Sequence, residues 1–261
     1  MVASVLAGAD FKPVQALLAF FVSVSLQVAV NYSNDYSDGI RGTDDNRIGP
    51  IRLTASGLAP AESVKRAAIL SFSAASIAGL ALAALSSWWV ILIGVAAIAA
   101  AWGYTGGKNP YGYKGLGEMS VFIFFGIIAT MGSYYVQTLE VNWVAFAVSV
   151  PMGSLSCALL AINNIRDRAQ DVLVGKRTLA VRLGDRGSRI FFVSLITAAY
   201  AFAFLSGRIW VLLTLLTLPM AFNLAKSVLR GAASAELIPL LGKTGKLQLF
   251  FAITFAVALA L

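Results

Sequence analysis

Histidine is absent from the 261 residues, and cysteine occurs once, as Cys157. The first absence excludes His-based zinc sites, His general bases, Ser-His-Asp triads and His-ligated haem. The second excludes an intrachain disulfide and any Cys-built zinc or iron–sulfur cage. Charge is also scarce. Asp, Glu, Lys and Arg make up 12% of the chain, about half of what a soluble domain carries. Residues of the apolar class reach 59%, and the mean hydropathy is +0.80. That composition rules out disorder and argues against a water-soluble fold.

What is present is a series of long apolar runs. A helix needs about 20 apolar residues to cross the hydrocarbon core. Runs near that length fall at roughly 13–31, 64–84, 88–105, 118–136, 142–162, 189–206, 209–225 and 246–261, which predicts eight spans with the last one short. The runs are apolar on every face, so helices rather than barrel strands are expected. The fold class is therefore all-α, a polytopic transmembrane helix bundle in one domain over 1–261. Residues 1–8 are apolar but too short to span; they are the expected remnant of a further helix.

The net charge of +8 is placed, not spread. The loops at 32–63, 106–117, 163–188 and 226–245, with their flanks, hold 18 of the 20 basic residues, all but Lys12 and Arg208. Such clustering near span ends marks the cytoplasmic side, so the basic pI needs no nucleic acid to explain it. Arg182, Arg186 and Arg189 read as anchors of this kind. Trp88, Trp89, Trp143 and Trp210 read as an interfacial belt on the opposite side. Ser154 and Ser156 are expected to allow close helix packing.

Two of the charged loops open alike. Asn31-Tyr-Ser-Asn34-Asp35-Tyr-Ser-Asp38 and Asn163-Asn164-Ile-Arg166-Asp167-Arg168-Ala-Gln-Asp171 each follow an apolar span directly. If the helices run a turn or two beyond the membrane, Asn31 and Asp35, Asn34 and Asp38, and Asp167 and Asp171 pair on single faces at i, i+4. Carboxylates so placed repel unless a cation lies between them. Oxygen-only donors suit Mg²⁺, which binds through carboxylates and substrate phosphates. A basic stretch follows each segment, Arg47 to Arg52 after the first and Lys176-Arg177 after the second, and a third loop offers Tyr104 and Lys108. This combination fits a metal-bridged diphosphate at the mouth of a bundle. Asp44 and Asp45 read as solvated loop acids. Asp35 and Asp167 lie about 132 residues apart, which suggests two four-helix units over about 11–136 and 142–261. A membrane transporter with a paired acidic site is the competing class. The middles of the spans are almost free of charge, however, which favours chemistry on an amphiphile over alternating access.

The segments NYSNDYSDGIRGTDD, AWGYTGGKNPYGYKGLGE and NNIRDRAQDVLVGKRTLAVRLGD resemble the UbiA-type intramembrane prenyltransferases, and among them the 1,4-dihydroxy-2-naphthoate polyprenyltransferase branch. The resemblance implies a nine-helix bundle in the cytoplasmic (inner) membrane. It also implies Mg²⁺-dependent transfer of a polyprenyl group from its diphosphate to an aromatic acceptor, giving demethylmenaquinone in the naphthoate branch; 4-hydroxybenzoate is the alternative acceptor. By the same resemblance Asp35, Asp38, Asp167 and Asp171 hold metal, assisted by Asn31, Asn34 and Asn164. Tyr104 and Lys108 match a YxxxK segment with a catalytic part, and Asn34, Lys108, Arg52 and Lys176 match diphosphate contacts. Tyr104, Tyr32 and Phe122 are the candidate aromatic faces toward a positive C1. No protein partner is implied. Where many relatives carry a third acid, this chain has Gly42, with Asp44 and Asp45 close by.

Overall fold

A computed structural model describes residues 10–45 and 48–261. Among these residues there are eight long helices and no strand. They are α1 (Pro13–Ile40), α2 (Ala61–Leu85), α3 (Trp89–Thr105), α4 (Gly117–Thr138), α5 (Trp143–Leu173), α6 (Leu179–Phe204), α7 (Ile209–Leu229) and α8 (Leu237–Ala260). Seven are long and apolar enough to cross a membrane, and α3 is a shorter apolar helix of 17 residues. Large apolar side chains such as Phe20, Leu70, Ile77, Leu92, Leu216 and Phe222 face outward. An exterior of that kind is stable only against lipid. The chain is a multi-pass membrane protein.

The eight expected runs each fall on one helix. Residues 1–8, the expected helix remnant, and Arg47 lie outside the described residues. Two starts differ by nine or ten residues, and α1 and α5 run on beyond the expected ends at 31 and 162 to Ile40 and Leu173. α6 begins ten residues before its expected span, because a short charged helical arm precedes the apolar part, set off from it by a kink at Gly184 with φ +70. α8 begins at Leu237, since Lys243 and Lys246 lie inside the helix.

Helix length positions the chemistry. At 1.5 Å per residue, α1 with 28 residues extends about 42 Å and α5 with 31 about 46 Å. A hydrocarbon core of about 30 Å cannot contain either. The overhang of each carries one acidic segment, still helical, at the same end of the bundle.

The two halves are built differently. In the second half Leu155, Ile162, Phe192, Leu224, Leu247, Phe251 and Phe255 form one dense core around α5. α5 is the axis of the molecule, with 67% of its apolar stretch buried against 17% for α4. Among the described residues of the first half the only compact cluster is Ala19, Leu82 and Val136. α1 packs on α2, α3 and α4, and the space between them stays open. α4 widens into a π-helix at Phe122–Ile128. There its Gly126 crosses α5 so closely that a Cβ would come within 2.4 Å of Gly153 Cα. That glycine pair brings the backbones together, with Ser154 buried next to it in α5; Ser156 instead faces the open space and accepts a 2.9 Å hydrogen bond from Gln248.

Candidate active site

The open space is a cavity of about 1150 Å³ that runs from the charged end of the bundle into its apolar interior. Its inner wall is apolar: Gly94 and Ile98 of α3, Phe124, Phe125 and Ile128 of α4, and Leu159 and Leu160 of α5. Its mouth is polar. Asn31, Asn34 and Asp38 of α1 line it from one side, and Asn163, Asn164, Asp167 and Asp171 of α5 from the other. Arg52, Asp44, Tyr104, Tyr113, Lys176 and Thr178 complete the rim. The two acidic segments thus face one shared chamber.

Most rim groups are already engaged. Asp38, 6% exposed, accepts a hydrogen bond from the Tyr113 hydroxyl at 2.5 Å and sits 3.3 Å from Lys176 Nζ. The ammonium also lies 4.6 Å from the centre of the Tyr113 ring, and the Arg41 guanidinium lies 5.5 Å from that same centre. Lys176 is tied to the second segment through its backbone N–H, which donates to Asp171 O at 2.8 Å. Asp171 Oδ2 accepts from the Thr178 hydroxyl at 3.1 Å. Asp167 forms a two-point pair with Arg166, at 2.6 and 2.8 Å. Asn34 Oδ1 accepts from the Thr105 hydroxyl at 2.8 Å. Arg41 ties the end of α1 to the carbonyls of Thr105 and Gly107. Burial pulls the Lys176 ammonium pKa down, but Asp38, Tyr113, Asp171 and Asp44 outweigh it, and the net shift is upward. Burial, and then Asp38, push the Tyr113 phenol up.

Two expected site residues are placed elsewhere. Asp35 does not line the cavity. It stands about 100° around the helix from Asn34 and about 60° from Asp38, and its two oxygens accept from the backbone amides of Leu53 and Thr54 at 2.9 Å each. It holds the 48–60 loop under the bundle, where Gly39 leaves room for Thr54; a Cβ there would stand 2.4 Å from Thr54 Cγ2. Lys108 is exposed on the 106–109 loop and does not line the cavity, because the helix ends at Thr105 and the YxxxK spacing no longer holds it on the Tyr104 face. The aromatic candidates also change. Tyr32 is absent from the cavity wall, and Phe122 packs against Gly153, whereas Tyr104 keeps its place beside Tyr111, Tyr113, Phe124 and Phe125. Asp44 is not a solvated loop acid. It is buried, pairs with Arg52 at 3.3 Å and lines the mouth. Arg189 is a structural tie, donating to Asp185 and to the carbonyls of Val228 and Ala232.

Sequence reasoning passed over Glu118 and Tyr113. Glu118 is buried at the start of α4, and its Oε1 accepts from Asn164 Nδ2 at 2.8 Å. With its NH₂ so used, the Asn164 amide keeps its oxygen for the cavity. An acid at the first turn of an apolar run was the available signal. Tyr113 offered none, since a loop tyrosine has no periodicity to betray it.

Comparison with known proteins agrees with the geometry. The chain matches the UbiA prenyltransferase family over residues 1–237. It is 48% identical to a 1,4-dihydroxy-2-naphthoate octaprenyltransferase of Mycobacterium tuberculosis over 94% of this chain and 85% of that one. It is 35% identical to the Escherichia coli protein of the same name, over 96% and 85%. A solved UbiA homologue from Aeropyrum pernix superposes with a TM-score of 0.77 at 15% identity, over 98% of this chain and 94% of that one, so it shares the fold. A helix bundle with a lipid-embedded chamber and an acidic mouth defines an intramembrane enzyme of amphiphile chemistry. The chain belongs to the UbiA prenyltransferase family.

Proposed function

We propose that this chain transfers a polyprenyl group from its diphosphate to 1,4-dihydroxy-2-naphthoate, with loss of CO₂, on the cytoplasmic side of the inner membrane in menaquinone synthesis. The observation that carries the reading is the convergence of both acidic segments on one cavity whose far end is apolar. The names borne by the relatives supply the acceptor.

Mg²⁺ is the implied metal. Among the described residues no three carboxylates come close enough to form a closed cage. The donors that face the cavity are oxygens only: Asn31, Asn34, Asp38, Asn164, Asp167 and Asp171. That set fits a hard cation completed by substrate phosphates rather than one held by protein alone. When bound, it offsets charge on the diphosphate. Asp38, Asp167 and Asp171 are the anionic holders in this reading, and Asp35 serves by fixing the loop that carries Arg52.

The chain's own residues then act as follows. Arg52 and Lys176 hold the diphosphate oxygens and favour the charge that gathers there as the C1–O bond breaks. The bond's electron pair leaves with the diphosphate. The Tyr104 face lies along the cavity wall where positive charge at C1 develops. The acceptor's ring carbon bearing the carboxylate bonds to C1. CO₂ then departs and its electron pair restores the aromatic ring. No net proton is removed from carbon in that sequence, so a chain without histidine needs no dedicated base for it. The apolar wall of α3 and α4 receives the prenyl tail.

Incubation of membranes with a polyprenyl diphosphate, Mg²⁺ and each aromatic acid, followed by product mass measurement, tests the reading. The expected product is the prenylated 1,4-naphthalenediol, demethylmenaquinol, detected as demethylmenaquinone after air oxidation on work-up. A prenylated 4-hydroxybenzoate in its place would overturn the acceptor assignment, and flux without product in liposomes would favour transport.

A further inference from the structure

The acids at the mouth are not waiting with empty space between them. The Lys176 ammonium lies 3.3 Å from Asp38 on α1, while its own backbone is bonded to the end of α5 at Asp171. Its side chain is 10% exposed and that of Asp38 8%. Lys176 therefore bridges the two acidic segments, by its buried ammonium to the first and by its backbone to the second. The Tyr113 ring under the ammonium and the Tyr113 hydroxyl on Asp38 hold the pair in register. A buried ion pair of this kind is costly to break by removing one partner, because the other charge is left uncompensated.

Resting on the reading of this site as a metal–diphosphate site, we propose that Lys176 is an internal countercation that couples the two ligands by exchange. In the ligand-free protein it neutralises Asp38 and opposes entry of a divalent cation. When a diphosphate arrives, the ammonium moves from the carboxylate to a phosphate oxygen. Asp38 is then released to the metal. No covalent bond changes in this exchange; one ion pair is replaced by two. Neither ligand alone completes it: metal without diphosphate meets the ammonium, and diphosphate without metal strands Asp38. The chamber thereby avoids holding a metal with no substrate, and the two affinities rise together, each by the same factor.

Mn²⁺ binding to the full chain in nanodiscs, read by electron paramagnetic resonance, tests this apart from turnover. The probes are Mn²⁺ alone and Mn²⁺ with farnesyl thiodiphosphate, whose sulfur bridge ionises slowly. Direct contact between metal and phosphate couples the two by itself, so the diagnostic quantity is what Lys176 adds. In Lys176→Met, Mn²⁺ alone is expected to bind on the order of tenfold more tightly than in the wild type, and the gain on adding the thiodiphosphate shrinks by a similar factor. Lys176→Arg keeps the cation and behaves as the wild type toward Mn²⁺ alone. Should Lys176→Met unfold, Lys176→Gln provides the same comparison with a polar side chain. A role limited to structure or to diphosphate contact leaves Mn²⁺ binding unchanged or weaker in a folded variant, and that result overturns the exchange. The parent reading fails separately: Asp38→Asn and Asp171→Asn that still bind Mn²⁺ with thiodiphosphate as the wild type does would place the metal elsewhere.

Discussion

The first and second acidic segments look alike as strings and differ in space. On α5, Asn163, Asn164, Asp167 and Asp171 all face the cavity. On α1, Asn34 and Asp38 do so, while Asp35 between them turns to the 53–54 amides. Both stretches are helical, so the i, i+4 pair Asn34–Asp38 corresponds to Asp167–Asp171, and the neighbouring Asp35 is rotated off that face. The backbone amides that a carboxylate meets, together with its helical phase, decide which acid serves the chamber; membership of an acid-rich string does not.

The largest expected effect tests that phase. Asp38→Ala and Asp171→Ala should each lower kcat/KM by about 10²–10³, as removal of a charge-stabilising group does elsewhere. Asp35→Ala should lower it less than tenfold, and should instead destabilise the protein by about 1–3 kcal/mol through two orphaned amides. Prenyl transfer and thermal unfolding measured on the same membranes separate the two outcomes. Equal losses of turnover at Asp35 and Asp38 would erase the distinction.

Next in size is the crossing that holds the two halves together. Gly126→Ala puts a methyl group 2.4 Å from the Gly153 backbone, which no side-chain rotation relieves. The expected cost is about 1–3 kcal/mol, seen as a lower unfolding temperature, with a larger cost if backbone movement is blocked. Gly132→Ala on the same helix meets nothing within 4 Å and should be neutral.

The basic residues give a finer contrast. Arg52→Ala and Lys176→Ala should raise KM for the prenyl diphosphate more than Lys108→Ala does, since only the first two line the mouth. A Lys108 variant with the greatest loss would show that the 106–109 loop folds over the bound substrate.

The smallest effect concerns pH. Lys176 has a pKa above the ordinary lysine value of about 10.4. Its charged form is therefore favoured in the fold. Its contribution to stability is complete below the unfolded value and is lost only as pH rises through the folded one. The KM for diphosphate should stay flat from neutral pH to the edge of the lysine range. A rise in KM near pH 8 in the wild type, absent from Lys176→Arg, would contradict this.

The eight apolar runs, the clustering of charge at one end and the pairing of the two Asn–Asp segments are legible in the order of residues alone. Hydrophobic run length and i, i+4 spacing are local quantities, and a run apolar on every face has no other state in lipid than helix. Tertiary structure alone decided that Asp35 caps a loop, that Lys108 stays outside and Asp44 comes inside, and that Lys176 reaches across from one segment to the other. Each of those depends on where a loop of irregular backbone lands against a distant helix. No periodicity encodes that contact; it is settled by which buried polar group finds a partner once the bundle has closed.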